Sequence, residues 1–372
     1  MTAGMPLLDR AILRELIAPL LVGLLALLQL LVAAQLLQLH EVVLGPAVTL
    51  ADIARVTVAL APHFFVMAAP VAFMLGVQLA LGRLAGDHEL LALSAAGRSP
   101  LALYRIPLAA ALFMALVAGA LARWAEPWGL RQLRGVLNDV IKRNLGSAVV
   151  PGTFSEDLPR LTLYVERVEK GGLKGLLIED AVSGGAPLLV LAEEGRIVDV
   201  GGESLALRLS RGELHRPEEA GASVARFEKG TFLVGVHERL WRKNRFYAAD
   251  GALPSDRLEA DARAADGRGD RVEAVRLRMT RARRWAVPLA CLAFALLAVP
   301  LAVASSGARA FAYVVTVLAF AGFFVLGKLG VTLAEQGRLA PWPAAFLPDA
   351  AVAMVGLFMS ARLLRSGVGK PG

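Results

Sequence analysis

The property that most restricts this chain is a series of long runs without charge. Residues 16–39, 56–82, 106–122 and 285–308 contain no Lys, Arg, Asp or Glu, and 310–334 is broken only by Lys328. About 20 apolar residues rising 1.5 Å each cross a hydrocarbon core of about 30 Å. Each run is therefore expected to be a membrane helix, the third being the shortest. A weaker sixth, built around 350–361, reaches spanning length only if 346–364 is included. With 56% hydrophobic residues and a mean hydropathy of +0.57, the chain as a whole is too apolar for an ordinary soluble protein. The first run is longer than the 7 to 15 apolar residues of a secretory signal, so it is read as a retained helix.

Charge separates the chain into three parts. Residues 125–283 hold 26 Lys/Arg against 24 Asp/Glu, while the remaining residues hold 14 against 8. A polar, nearly neutral domain is thus inserted between two membrane blocks, giving expected boundaries of 1–124, 125–283 and 284–372. The net charge of +8 belongs mostly to the membrane blocks, where it reports orientation rather than nucleic-acid binding. With the N-terminus inside, Arg10, Arg14, Arg83, Arg98, Arg105, Arg309, Arg362, Arg365 and Lys370 fall on the cytoplasmic side. The outer side keeps Arg338 and, at a helix edge, Arg55. The same choice puts Trp124, Trp128, Trp285 and Trp342 at the outer interface, where aromatic belts form.

Inside the insertion, short β-type runs at 161–168, 175–179, 188–192, 196–200, 205–209 and 224–234 are separated by Gly-Gly pairs and Pro217. Leu205, Leu207 and Leu209 alternate with polar neighbours, which gives a sheet one apolar face. An antiparallel sandwich or jelly roll is expected, held by packing, because Cys291 is the only cysteine. Residues 256–284 are read as a loop followed by a helical approach to the membrane, and the arginines between 276 and 284 as an interfacial anchor or anionic-lipid contact.

Few motifs suggest chemistry within the chain. Gly322 to Lys328 has P-loop spacing, but Leu329 occupies the hydroxyl position and the stretch is apolar helix. Asp87, His88 and Glu89 are consecutive and would point about 100° apart on a helix, so they cannot converge on one metal. The five histidines are scattered, and no nucleophile, paired-carboxylate or metal arrangement emerges. Catalytic and metal-ligating residues are therefore expected to be absent. Residues 83–97 form a candidate amphipathic helix with Leu90, Leu91 and Leu93 on one side and Gly97 as C-cap, suited either to docking a partner or to a simple surface turn. Lys328, an ionisable group inside a spanning run, either faces a polar cavity or snorkels to the headgroups.

Several stretches resemble the LptF/LptG permease family of lipopolysaccharide exporters. They are LLDRAILRELIAPLLVGLL in the first helix, LALGRLAGDHELLALSAAGRSP in the coupling segment, PGTFSEDLPRLTLYVERV leading into the insertion, RRWAVPLACLAFALLAVPLAV in the fourth helix and GRLAPWPAAFLPD before the sixth. The PGTFSEDLPRLTLYVERV and AEQGRLAP stretches lean toward the LptF type. Two positions depart from the family pattern. The outer end of the first helix carries Gln35, Gln38, His40 and Glu41 where relatives place cations, and Asp349 stands where an Asn is common.

The resemblance implies an α-helical membrane protein with six transmembrane helices and an inserted periplasmic all-β, jellyroll-like domain. It further implies a multi-pass protein of the bacterial inner membrane, with both termini cytoplasmic. Its partners would be a second LptF/LptG-type permease, an LptB-type ATPase homodimer that uses ATP and Mg, LptC/LptA-type periplasmic jellyroll proteins, and lipopolysaccharide; this chain would bind no cofactor itself. Carried over by position, Glu89, Leu90, Leu91, Leu93, Gly97 and Arg98 would dock on the ATPase. Arg131, Arg134 and Lys328 would face lipopolysaccharide phosphates. A permease of a lipoprotein-releasing or mechanotransmission system is the alternative, and a non-transporting membrane scaffold ranks below both.

Overall fold

A computed structural model describes residues 7–38, 48–97, 99–147, 151–158, 161–169, 172–180, 188–199, 205–218, 221–234, 249–304 and 309–366. By internal contacts the chain divides into two compact units. One comprises Met1–Ala34, Leu60–Gly129 and Ala252–Gly372; the other comprises Gln35–Ala59 and Leu130–Gly251.

The helices are α1 (Leu7–Gln38), α2 (Leu50–Gly86), α3 (Glu89–Ala95), α4 (Ala102–Ala120), α5 (Glu126–Ser147), α6 (Ser255–Gly267), α7 (Arg271–Ala304), α8 (Arg309–Glu335) and α9 (Pro341–Ser366). A π-helical turn over Leu121–Ala125 joins α4 to α5 without a break. Six stretches are long and apolar enough to cross a membrane: Leu8–Leu37, Leu50–Gly86, Ala102–Leu137, Arg271–Ala304, Val314–Glu335 and Pro341–Arg365. All six expected spans are present, and three exceed their apolar runs by ten or more residues. The helix continues past each run because backbone hydrogen bonding does not stop where the side chains turn polar. Residues 256–284, expected as a loop followed by a helical approach, begin instead with the helix α6 (Ser255–Gly267).

Lipid is as apolar as leucine, so these helices are held by close approach and internal polar contacts rather than by hydrophobicity. A Cβ built at Gly76 would lie 3.1 Å from the Leu20 Cα, and one at Gly356 would lie 2.8 Å from the backbone of Leu296 and Leu297. These glycines let α2 approach α1 and α9 approach α7. Alanine does the same along α7, where Ala282, Ala286, Ala290, Ala295, Ala298 and Ala302 are all buried. Polar links among the described residues also tie the spans. Tyr104 Oη donates to Ser360 Oγ at 2.8 Å, Thr316 Oγ1 donates to Gln78 Oε1 at 2.7 Å, and His63 Nδ1 meets Glu126 Oε1 at 2.7 Å. Before α2, Thr49 and Asp52 form a reciprocal capping box, with Thr49 N donating to Asp52 Oδ2 at 3.0 Å and Asp52 N to Thr49 Oγ1 at 3.3 Å.

The described strands of the insertion are all paired antiparallel. Its strands are β1 (Phe154–Leu158), β2 (Leu161–Glu169), β3 (Gly172–Asp180), β4 (Leu188–Asp199), β5 (Leu205–Glu218) and β6 (Gly221–Val234), paired in chain order as one meander. The two runs expected at 188–192 and 196–200 are a single strand, β4, and β1 is additional. The single sheet is bent by a crease. Pairing lapses at one transverse row, Glu166, Gly175, Glu193, Arg211 and Glu228, with Gly175 at φ +64 and Arg211 at φ +51. The buried alternation also slips by one residue there, from Val190 and Ala192 to Gly195 on β4. Leu176 lies three residues along the strand from the partner of Gly195, about 10 Å in a flat sheet. Yet a Cβ on Gly195 would meet the Leu176 side chain at 2.8 Å and that of Leu209 at 3.2 Å. The meander is folded over its own apolar face, which buries Leu163, Val165, Leu176, Ile178, Leu207 and Leu209.

Candidate functional site

The expected coupling helix over residues 83–97 is two pieces. Arg83 to Gly86 complete α2, the chain breaks at Asp87 and His88, and α3 is the seven-residue helix Glu89–Ala95. The break is local. His88 takes φ +59, a left-handed conformation that His tolerates better than most residues, and its amide bonds back to the Ala85 carbonyl at 3.2 Å. Its own carbonyl accepts from Ala92 N at 3.1 Å and so starts α3. Gly97, at φ +78, follows the helix as the left-handed C-terminal residue that its sequence position called for.

This hairpin has a fixed and a free side. Leu90 is only 2% exposed and belongs to the same apolar cluster as Leu84, Ala85 and Leu103, so it anchors α3 to the bundle. Glu89, Ala92, Ala95 and Gly97 are exposed. Arg83 reaches Glu15 on α1 at 2.8 Å and fixes the approach to the hairpin. Of the other expected coupling residues, the side chains of Leu91 and Leu93 and all of Arg98 lie outside the described residues.

The chain end of the third span is organised differently. The π-helical turn widens the helix by one residue just before Glu126, whose carboxylate holds His63 of α2. Such turns store local strain and recur at functional sites. The Arg123 guanidinium lies 5.4 Å from the Trp285 ring centroid. Beyond it, α5 is amphipathic: Leu130, Leu133, Leu137 and Val140 are buried on one side, while Arg131 is exposed and Arg134 half-buried. Three residues apart, the two arginines share one stretch of helix face, and both already have interaction partners in the fold.

Lys328 is exposed on α8, with Nζ 5.2 Å from the centroid of Phe324 one turn away. Around it the apolar side chains of Val317, Phe324, Val325 and Leu329 are also uncovered. α1 exposes a second such face, with Leu21, Val22, Leu25 and Leu30. These two helices are the least covered of the six spans, and α7 is the most covered. Residues 322–329, with their P-loop spacing, are continuous helix, so their backbone amides are engaged in helical bonding and cannot cradle a phosphate. Among the described residues no cluster of three or more His, Cys, Asp or Glu is arranged to hold a metal.

On the creased sheet a groove of about 710 Å³ is lined by Tyr164, Leu177, Leu191, Arg211, Glu213 and Arg226. Its charges are paired. Arg211 bonds Glu193 at 2.6 Å and Glu194 at 3.0 Å, which holds its guanidinium above its usual pKa. Arg226 bonds Glu213 at 2.7 Å and holds that carboxyl below the ordinary carboxylate value.

The model of the lipopolysaccharide export system permease LptF/LptG family matches residues 10–362, across both sets of spans and the insertion. The chain belongs to the LptF/LptG permease family. It is 27% identical over 155 residues to the lipopolysaccharide export system permease protein LptF of Escherichia coli K12, and equally to that of Shigella flexneri. Those alignments cover 41% of this chain and 42% of each relative, so they span under half the length of either. In an LptF/LptG chain the uncovered spans α1 and α8, the hairpin around α3 and the sheet insertion are three distinct surfaces. Sequence reading located the hairpin and Lys328 but missed the His63 to Glu126 link and the π-helical turn. The signal for the link was present, since His63 lies inside the uncharged run 56–82 and Glu126 just beyond 106–122, where an unpaired polar group is costly.

Proposed function

We propose that this chain is the permease subunit of an ATP-driven exporter that extracts lipopolysaccharide from the outer leaflet of the inner membrane and hands it to a periplasmic bridge. The observation that carries the reading is the family match over residues 10–362, joined to two apolar spans that the chain leaves uncovered. Both termini are cytoplasmic and the insertion periplasmic, as the Arg distribution and the Trp positions favour. A second permease of the same family covers the faces of α1 and α8, and the lipid enters between the two chains. ATP and Mg are used by a separate ATPase docked at the exposed side of α3, with Glu89 at its centre.

Each part of the chain then has a physical task. Lys328 offers a cation in an apolar setting, where it attracts a phosphate more strongly than it would in water. Arg131 and Arg134 extend positive charge along α5, beyond the uncharged run 106–122. The apolar side of the creased sheet shelters acyl chains, but only once the crease opens, because that side is already packed against itself. Transfer into the insertion therefore requires a local opening of the sheet, which closure of the membrane helices would drive.

Two substitutions test the reading. Glu89→Lys should leave the chain in the membrane and reduce ATPase association and transport at least tenfold; unchanged association would remove α3 from the coupling path. Arg131→Glu with Lys328→Glu should weaken photocrosslinking to lipopolysaccharide while sparing assembly. Undiminished crosslinking would take these cations out of the site.

A further inference from the structure

At one end of the bundle, the α6–α7 turn, the start of α7 and the α8–α9 connection enclose a cavity of about 470 Å³. Its lining includes Asp266, Arg271, Val275, Arg278, Gly337 and Leu339. Local chemistry builds it. Asp270 precedes α7 and accepts from Glu273 N at 3.0 Å, which fixes the first turn. After α8, Gly337 takes φ +72 and Arg338 N bonds back to the Leu333 carbonyl at 2.9 Å, which turns the chain toward Pro341 and α9.

Two guanidiniums face this space from α7, seven residues and therefore two turns apart on one side of the helix. Arg278 is satisfied by Asp266 at 2.5 Å. The Arg271 amide donates to the Gly269 carbonyl at 3.1 Å. Its side chain has no hydrogen bond or ion pair among the described residues, yet it is not a freely waving surface side chain. Its guanidinium rests on Gly337, where a Cβ would come within 2.5 Å of Nη2 and 3.0 Å of Cζ. Glycine thus makes the seat for an arginine whose donor fork remains open. Val275 lies between the two arginines on the same face of α7, and Ala334 and Leu339, from the end of α8 and the connection after it, add apolar lining. Trp342 begins α9 beside the cavity and stacks on Phe346 with ring centroids 6.2 Å apart. A half-exposed tryptophan at the end of a span marks the depth of the lipid headgroups.

We propose that this cavity binds the phosphate of a membrane phospholipid headgroup. Arg271 engages it through two parallel N–H donors, Arg278 supplies a second positive charge whose excess is trimmed by Asp266, and the first carbons of the lipid lie along Val275 and Leu339. A planar fork matched to phosphate oxygens favours this ligand over a carboxylate-free sugar or a neutral lipid. The site is separate from the faces of α1 and α8 and needs only that α7, α8 and α9 span a membrane. It is a place for a resident lipid that braces the α8–α9 connection, whatever cargo the transporter carries.

The test uses the full chain in detergent, with whatever chains copurify. It is exposed to phosphatidylcholine vesicles with or without a minor fraction of phosphatidylglycerol, then read by native mass spectrometry for retained phospholipid. Arg271→Glu should lower retention on the order of tenfold, as expected for a lost charge-assisted pair, and Arg271→Lys should lower it less. Arg257→Glu, the same charge change at an exposed position on α6 outside the cavity, should leave retention unchanged. Equal retention in wild type and Arg271→Glu, with both folded by thermal melt, would overturn the proposal. So would equal losses from Arg271→Glu and Arg257→Glu, since that would be general charge attraction. Displacement of the lipid by excess inorganic phosphate alone would assign the cavity to free phosphate and overturn the lipid reading.

Discussion

The spans α7 and α8 are both long apolar helices, yet their surroundings are opposite. α7 is buried along most of its length, lined with alanine and approached closely by α9 at Gly356. α8 leaves Val314, Val317, Leu318, Phe324 and Val325 uncovered, and Gly322 and Gly327 have open space where a Cβ would go. Hydropathy cannot separate these cases, because lipid and protein interior are equally apolar solvents. Residue size separates them only where it is used: the buried alanines of α7 and Gly356 of α9 sit at close backbone contacts, whereas Gly322 and Gly327 of α8 meet nothing in this chain. α7 is covered within its own chain, while α8 presents a face that the chain itself leaves uncovered.

The largest expected contrast comes from the two glycines. Gly356→Leu forces a side chain into the α7 backbone and should cost about 1–3 kcal/mol or more, seen as lost detergent-stable protein. Gly322→Leu meets nothing in the chain and should leave its thermal melt unchanged; equal destabilisation would show that α8 is covered after all. A smaller effect is expected at the one described buried polar contact of α8. Thr316→Val removes the hydrogen bond to Gln78 and should cost roughly 0.6 kcal/mol, with a melting shift near the limit of measurement.

The smallest effect lies in the insertion. Glu213 is held below its ordinary pKa by Arg226, so its contribution to stability is present above the ordinary carboxylate range and lost as pH falls through the folded value. Melting temperatures of wild type and Glu213→Gln should differ slightly at neutral pH and converge in acid. Because the pair is on the surface, salt should shrink the difference too.

Much of this arrangement was legible in the residues. Uncharged length revealed four of the six spans outright, and the fifth and sixth were readable only by allowing Lys328 in one and Asp349 and Arg362 in the other. Gly97 was readable as a cap because a left-handed residue after a helix favours glycine. The strands of the insertion announced themselves by alternation, although β4 looked like two runs because Glu193 and Glu194 interrupt its apolar pattern at the crease. The crease itself depends on Gly175 of β3 and Arg211 of β5 falling in one transverse row with Glu193 of β4 between them, information that no local window contains. For the same reason Leu90 read as a docking residue: its apolar character was visible, but not that it turns toward Leu84 and Leu103. Lys328 was found as a charge in a span, whereas its uncovered setting emerged only when its neighbours were packed.

The central claim is that the open faces of α1 and α8 belong to an exporter of two permeases driven by a separate ATPase. Purification of the full chain in mild detergent, with stoichiometric partners and bound lipid identified by mass spectrometry, tests it most directly. Recovery of a second six-span permease, an ABC-type ATPase and lipid A is the predicted result. Recovery of the chain alone, or with a different ATPase and lipoproteins as cargo, would contradict it.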